Sequence, residues 1–102
     1  MGSLEVAEIS IDADGRLLIR PREAAESFEY VYRAGAEVTW DQARSSFACP
    51  KPREWSYSRW FQLARDAVRG EVGLEFTITS RTAWTNVTDA VREDICSMLA
   101  AG

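Results

Sequence analysis

The first twenty residues alternate between apolar and polar side chains with the period of a β-strand. The apolar residues are Ala7, Ile9 and Ile11 in one parity and Leu4 and Val6 in the other. Because one extra residue exchanges the two faces of a strand, we expect a β-bulge or a late strand start near Val6 and Ala7. Residues 12–15 form a turn that contains Asp and Gly, and the returning strand at 16–20 ends at Pro21, which has no amide hydrogen. This segment therefore predicts a β-hairpin.

The next segment admits two interpretations. A polar stretch at 21–27 is followed by aromatic residues at every second position. They are Phe28, Tyr30 and Tyr32. This alternation favours a third strand. A short helix over residues 23–34 is the competing interpretation, because its Ala-Ala-Glu start favours a helix. Both stay open at this point.

Further strand signals flank the middle of the chain. Residues 37–40 and 46–49 predict a second hairpin, joined by a five-residue connection at 41–45. Residues 74–79 alternate between apolar and polar side chains and predict one more strand.

Two segments have the 3.6-residue periodicity of amphipathic helices. The first is predicted to begin after Ser56 as N-cap and to end at Gly73, with Gly70 as the alternative end. Its apolar stripe comprises Tyr57, Trp60, Phe61, Ala64, Ala67 and Val68, and its polar side comprises Arg59, Gln62, Arg65, Asp66 and Arg69. The last helix is predicted to begin after Asn86 as N-cap. Its apolar stripe comprises Val87, Ala90, Val91, Ile95, Met98 and Leu99.

These elements predict an α+β fold, with a mainly antiparallel sheet of four to five strands and two amphipathic helices packed on one face. Most connections are too short for a crossover, so only the one through the first helix can set two strands parallel. The 102 residues fit a single α+β domain, residues 1–102. The uncovered face of the sheet is expected to meet solvent or a second copy of the chain.

The composition removes several classes of function. The chain has no histidine, so Ser-His and Cys-His mechanisms are excluded, and we predict no catalytic residue, metal ligand or cofactor. A carboxylate mechanism stays open, so a non-enzymatic role is favoured rather than established. The net charge of −4 disfavours nucleic acid as a partner. With two cysteines, no export signal and no membrane-spanning apolar run, we expect a cytoplasmic protein with free thiols.

Two regions that lead into the helices concentrate aromatic and arginine side chains. We nominate Arg53, Trp55, Tyr57, Arg81 and Trp84 as ligand- or partner-binding residues. The first three surround the start of the first helix, and the other two lie in a predicted loop at residues 80–85. A structural role is the favoured alternative for two of them. Trp55 would then pack onto the helix as a hydrophobic staple, and Trp84 would close one end of the core.

The runs PKPREWSY at residues 50–57 and WTN at residues 84–86 resemble small, uncharacterised bacterial proteins of the integron gene-cassette kind. The resemblance covers nearly the whole chain, but these runs are not catalytic motifs. It implies a compact, bacterial, cytoplasmic α+β protein of accessory function that can be oligomeric. It carries over no activity, cofactor or site residue.

The number of aromatic residues supplies the leading hypothesis for function. Six of them exceed what a core of two helices and one sheet can readily bury: Tyr30, Tyr32, Trp40, Trp55, Tyr57 and Trp84. Aromatic and arginine side chains near the surface dominate interface hot spots. We therefore expect a non-enzymatic binding module that self-associates as a homodimer or higher homo-oligomer. The alternative is a small-molecule-binding protein whose pocket is lined by aromatic and arginine side chains, with weak catalysis as an option.

Overall fold

The computed structural model describes residues 2–34, 37–50 and 56–101. Within these ranges, six strands, one 3₁₀ helix and two α-helices build an α+β fold, which confirms the predicted class. In chain order they are β1 (Gly2–Ile11), β2 (Leu17–Pro21), the 3₁₀ helix (Glu26–Ala34), β3 (Thr39–Asp41), β4 (Ser46–Ala48), α1 (Tyr57–Val72), β5 (Leu74–Thr77), β6 (Ala83–Thr85) and α2 (Asp89–Ala101).

The sheet is mixed rather than mainly antiparallel. Its order is β3-β4-β2-β1-β5, and β6 also pairs with β1. Residues Gly2 to Glu5 of β1 pair in parallel with β5, and Glu8 to Ser10 pair in parallel with β6. The rule that short connections make antiparallel strands fails here because β5 and β6 do not pair with each other. They lie one after the other along the same edge of β1.

A β-bulge in β1 reconciles the two parities of its apolar residues. The pairing of β1 with β2 shifts register between Val6 and Glu8, so Ala7 is the extra residue and the expected bulge is confirmed. Leu4 and Val6 before the bulge, and Ile9 after it, are all buried in the core. The bulge therefore keeps both halves of the strand facing the helices.

The segment at residues 26–34 is a 3₁₀ helix, so the favoured prediction of a third strand is wrong and the helical alternative is closer. Phe28 and Val31 are buried, whereas Tyr30 and Tyr32 are exposed. The spacing of the buried residues is three, which is the repeat of a 3₁₀ helix. The alternation of aromatic residues reproduced a strand pattern only by coincidence.

Helix α1 begins and ends where the sequence predicts. The Ser56 hydroxyl accepts the amide N–H of Arg59 at 3.3 Å, and Gly73 ends the helix with φ of 77°. The predicted apolar stripe is buried, with Tyr57 partly so. Arg65 is the exception to the predicted pattern, because it is buried although the helical periodicity places it on the polar side.

Helix α2 is capped by Thr88, so the prediction that Asn86 caps it is wrong. The Thr88 hydroxyl accepts the amide N–H of Val91 at 3.3 Å. Asn86 instead has φ of 56°, and its side-chain amide donates to the carbonyl of Ile11 at 3.0 Å. Asn86 therefore ties the end of β6 to the end of β1, and the helix starts two residues later than predicted.

The two faces of the sheet differ in chemistry. One face packs against the three described helices around an aromatic cluster of Phe28, Trp40, Phe47, Phe61 and Phe76. The opposite face, called here the outer face, is mainly polar. Its side chains include Ser3, Glu5, Glu8, Ser10, Arg20, Glu75, Thr77 and Thr85. Leu18 and Ala48 lie on the same face but are buried. A mainly polar face is typical of a sheet surface that is in contact with water.

Candidate functional site

The nominated residues at the start of α1 are only partly described. Arg53 and Trp55 lie outside the residues that the structure describes. Tyr57 is the first residue of α1 and is half-buried. Its hydroxyl donates to the carbonyl oxygen of Gly15 at 2.8 Å, and its ring packs against the core. Tyr57 therefore links the start of α1 to the turn between β1 and β2, which is a structural role.

Arg81 is exposed and belongs to a cluster on the outer face that centres on Glu5. It donates to one carboxylate oxygen of Glu5 at 2.6 Å, and Arg22 donates to the other at 2.8 Å. Thr79 adds a longer bond at 3.4 Å. Burial acts to raise the pKa of Glu5, but the hydrogen bonds and charges of the two arginines outweigh it and lower this pKa below its ordinary value of 4.5. This cluster holds β1, β2 and the loop after β5 together.

The lowered pKa of Glu5 predicts a loss of stability in acid. A depressed carboxyl pKa stabilises the folded state above the unfolded pKa, and this contribution disappears as the pH falls through the folded value. We expect Glu5→Gln to flatten the decline in the free energy of unfolding between about pH 5 and about pH 3, measured by urea denaturation. Glu93→Gln, an exposed change on α2, is the control and should keep the wild-type decline. An unchanged decline in Glu5→Gln would contradict this assignment.

Trp84 lies in strand β6 rather than in the predicted loop. It pairs with Ile9 of β1, is half-buried and packs against the core. The guanidinium of Arg92 on α2 lies 5.2 Å from the centre of its ring, within the range of a cation–π contact. Trp84 therefore closes the β6 edge of the core, which agrees with the structural alternative for this residue.

The three described nominees do not form one site. Arg81 contacts Glu5 on the outer face, whereas Trp84 lies beside Ile9 on the core face. Tyr57 reaches Gly15 at the tip of the β1–β2 hairpin, beyond the end of β1. The seven residues from Glu5 to Ile11 alone span about 20 Å along the strand. A single pocket lined by these side chains has no support in this arrangement.

Trp40 is likewise engaged within its own chain. Its ring packs edge-on against Phe28 and Phe47, with centroid distances of 5.3 and 4.9 Å. Its indole N–H donates to the side-chain oxygen of Gln42 at 2.9 Å. Trp40 therefore contributes to the core and not to an open surface.

Tyr30 and Tyr32 are the large apolar side chains that stay exposed among the described residues, at 46% and 57% of their full area. Positions three apart lie one above the other in a 3₁₀ helix. Arg33 accordingly covers the ring of Tyr30, with its guanidinium carbon 4.4 Å from the ring centre. We call the exposed side of this helix the tyrosine surface. It comprises Glu26, Glu29, Tyr30, Tyr32 and Arg33.

The tyrosine surface stands on a rigid base. Phe28 and Val31, on the opposite side of the same helix, are buried. Phe28 packs against Trp40 and Phe47 of the second hairpin, and the helix also contacts α1. Sequence reasoning counted both tyrosines as surplus aromatic residues but did not nominate them. In a strand they would share the face of Phe28, whereas the 3₁₀ helix separates them from it.

The two free cysteines differ in burial. Burial raises the pKa of the Cys49 thiol to about 12, and its sulfur lies 3.8 Å from the carbonyl oxygen of Trp60. Cys96 is exposed on α2. Across residues 2–34, 37–50 and 56–101, His, Cys, Asp and Glu side chains form no cluster of three that could hold a metal ion. None of the helices in these ranges is long and apolar enough to cross a membrane.

Comparison with known proteins identifies the family. The profile of the family described as integron cassette protein Hfx_Cass5 matches residues 4–82, which is more than half of the chain. The chain belongs to the Hfx_Cass5 family of integron cassette proteins. This confirms the resemblance read from the sequence. A solved Hfx_Cass5 structure, from the mobile metagenome of the North West Arm sewage outfall, is 36% identical over 98% of both chains, with a TM-score of 0.48. No curated protein sequence matches significantly.

Proposed function

We propose that this integron cassette protein is a non-enzymatic binding module that self-associates through the tyrosine surface. The observation that carries the proposal is the exposure of Tyr30 and Tyr32. Trp40, Tyr57 and Trp84 have hydrogen bonds or ring contacts inside their own chain, so they do not need a partner.

The chemistry of the tyrosine surface supports protein binding. Tyrosine and arginine are enriched among the residues that dominate binding energy at interfaces. Tyr30 is already held beside Arg33, and the helix beneath is anchored by buried Phe28. Binding therefore orders few additional side chains, which lowers the entropy lost on association.

A second copy of the chain suits this surface because it carries both signs of charge. Glu26 and Glu29 lie in its first turns, and Arg33 lies in its last turn. In a two-fold dimer, the same patch meets itself in the opposite direction. Arg33 of each copy would then approach the carboxylates of the other. The sheet is less suited to this contact, because its outer face is mainly polar and its edge strand β3 has three residues.

Sedimentation equilibrium at micromolar concentration tests the proposal. We expect the wild-type protein to show twice the 11.5 kDa mass of the monomer. The double variant Tyr30→Ser/Tyr32→Ser should have a dimer Kd at least about tenfold higher than the wild type. The reason is that removing two hot-spot side chains should cost more than about 1.4 kcal/mol of binding free energy. The matched control Tyr30→Phe/Tyr32→Phe retains both rings and should remain associated. A wild-type protein that sediments only at 11.5 kDa would refute self-association.

A further inference from the structure

Arg65 in the middle of α1 is a buried cation. The residue is 8% exposed, and no other arginine within the described ranges is buried. The other buried polar residues there are Ser46 and Thr82, which have hydrogen bonds within the chain. A guanidinium stays charged at all ordinary pH values, so burial cannot be relieved by loss of a proton.

The hydrogen bonding of this guanidinium is incomplete at its Nε atom within the described residues. Its Nε is buried and has no hydrogen-bond partner. The carboxylate that comes near is that of Asp66, whose oxygen lies 3.9 Å from Nε, beyond hydrogen-bond length. Asp66 is also half-exposed, and adjacent residues of a helix do not face each other.

The neighbours of Arg65 along α1 show which side of the helix it lies on. Phe61, one turn earlier, packs on Phe76 of β5 with ring centres 5.7 Å apart. Arg69, one turn later, pairs with Glu75 of the same strand. Arg65 therefore lies on the side of α1 that faces β5, between an apolar contact and an ion pair that already uses the carboxylate of Glu75.

A buried cation whose nearby carboxylate lies beyond hydrogen-bond length and is half-exposed is only partly compensated, so an anion that pairs with it stabilises the fold. We propose that Arg65 anchors a binding site for a small oxyanion, a carboxylate or phosphate group carried by a ligand. The planar guanidinium fork matches both groups. The remaining 9% exposure of the side chain is not at Nε, which is buried, so a ligand approaches the guanidinium from its Nη groups. This site is separate from the tyrosine surface and does not depend on self-association.

Arginine side-chain NMR provides a direct test, because it observes the Nε–H group itself. The ¹⁵N-labelled wild-type protein is titrated with sodium acetate and with sodium phosphate, against sodium chloride at equal ionic strength. We expect the Arg65 Nε–H resonance to shift saturably with at least one oxyanion and not with chloride. A response to acetate alone indicates a carboxylate ligand, and a response to phosphate alone indicates a phosphate ligand.

Two variants connect this shift to stability. Arg65→Met removes the cation but keeps a side chain of similar length, and it assigns the resonance by its disappearance. The oxyanion should raise the Tm of the wild-type protein and of Arg69→Met, the matched control on the next turn, but not that of Arg65→Met. If the Arg65 resonance does not move with either oxyanion, or if the Tm of Arg65→Met rises as much as that of the wild type, the proposal is overturned. Through-bond assignment of the Nε–H resonance to Arg65 in the wild-type protein lets the wild-type titration decide this even if Arg65→Met does not fold.

Discussion

Replacing Phe47 by alanine is expected to lower the free energy of unfolding by about 3–5 kcal/mol. Phe47 lies in β4, is fully buried and joins the two halves of the aromatic cluster. Its ring centre lies 5.2 Å from Phe28, 4.9 Å from Trp40 and 5.6 Å from Phe76. Alanine would leave a cavity between the 3₁₀ helix and the sheet, because three neighbouring rings cannot all move to fill it.

Urea denaturation followed by tryptophan fluorescence measures this loss. Phe47→Leu is the matched control, since it keeps most of the volume and should lose less than half as much stability. Glu93→Ala, an exposed change on α2, should change stability by less than about 0.5 kcal/mol. A loss below about 1 kcal/mol for Phe47→Ala would show that the cluster is not closely packed around this residue.

Deletion of Ala7 is expected to disrupt the fold more than any substitution at the same position. Without the extra residue, the two halves of β1 cannot both face the helices. Either Leu4 and Val6 turn outward, or Ile9 and the residues after it do so. Exposure of Leu4 and Val6 alone costs about 3–6 kcal/mol. That is comparable with the whole stability of a small domain, so we expect a largely unfolded or loosely packed chain.

Near-ultraviolet circular dichroism and amide hydrogen exchange measure the consequence of this deletion. The near-ultraviolet signal of the aromatic cluster should be lost, and the amides of β5 should lose protection, because β5 pairs with the half of β1 before the bulge. Ala7→Gly keeps the residue count and should cost only about 1 kcal/mol. A cooperative, native-like spectrum after the deletion would contradict the role of the bulge.

Local signals explain the elements that were predicted correctly. The bulge follows from a change of parity within one strand, and the limits of α1 follow from Ser56 and Gly73, whose preferences act over a few residues. The turn between β1 and β2 follows from Asp12, whose carboxylate accepts the amide N–H groups of Asp14 and Arg16. None of these interactions requires knowledge of a distant segment.

The predictions that are wrong concern elements whose conformation depends on contacts with distant segments of the chain. Phe28 fits either a strand or a helix by local pattern, and its packing against Trp40 and Phe47 selects the 3₁₀ helix. Strand β6 has only three residues and exists through its pairing with β1, more than seventy positions earlier. Asn86 has the sequence of an N-cap, but its side chain bonds to Ile11 instead.

Both candidate functional features depend on that distant packing as well. Tyr30 and Tyr32 are exposed because Phe28, on the other side of the same 3₁₀ helix, packs into the core. Arg65 carries the helical position of a polar residue, and the neighbouring contacts of α1 with β5 leave it buried.

The sequence by itself determined the α+β class, the first hairpin with its bulge, the limits and apolar stripe of α1, and the family. Periodicity, turn residues and caps act within a few residues, so they can be read without coordinates. Only the tertiary structure decided the parallel pairing of β5 and β6 with β1, the 3₁₀ helix at residues 26–34, and which aromatic and charged side chains are buried. These depend on which segments meet in space, and the free energy of packing them outweighs weak local preferences.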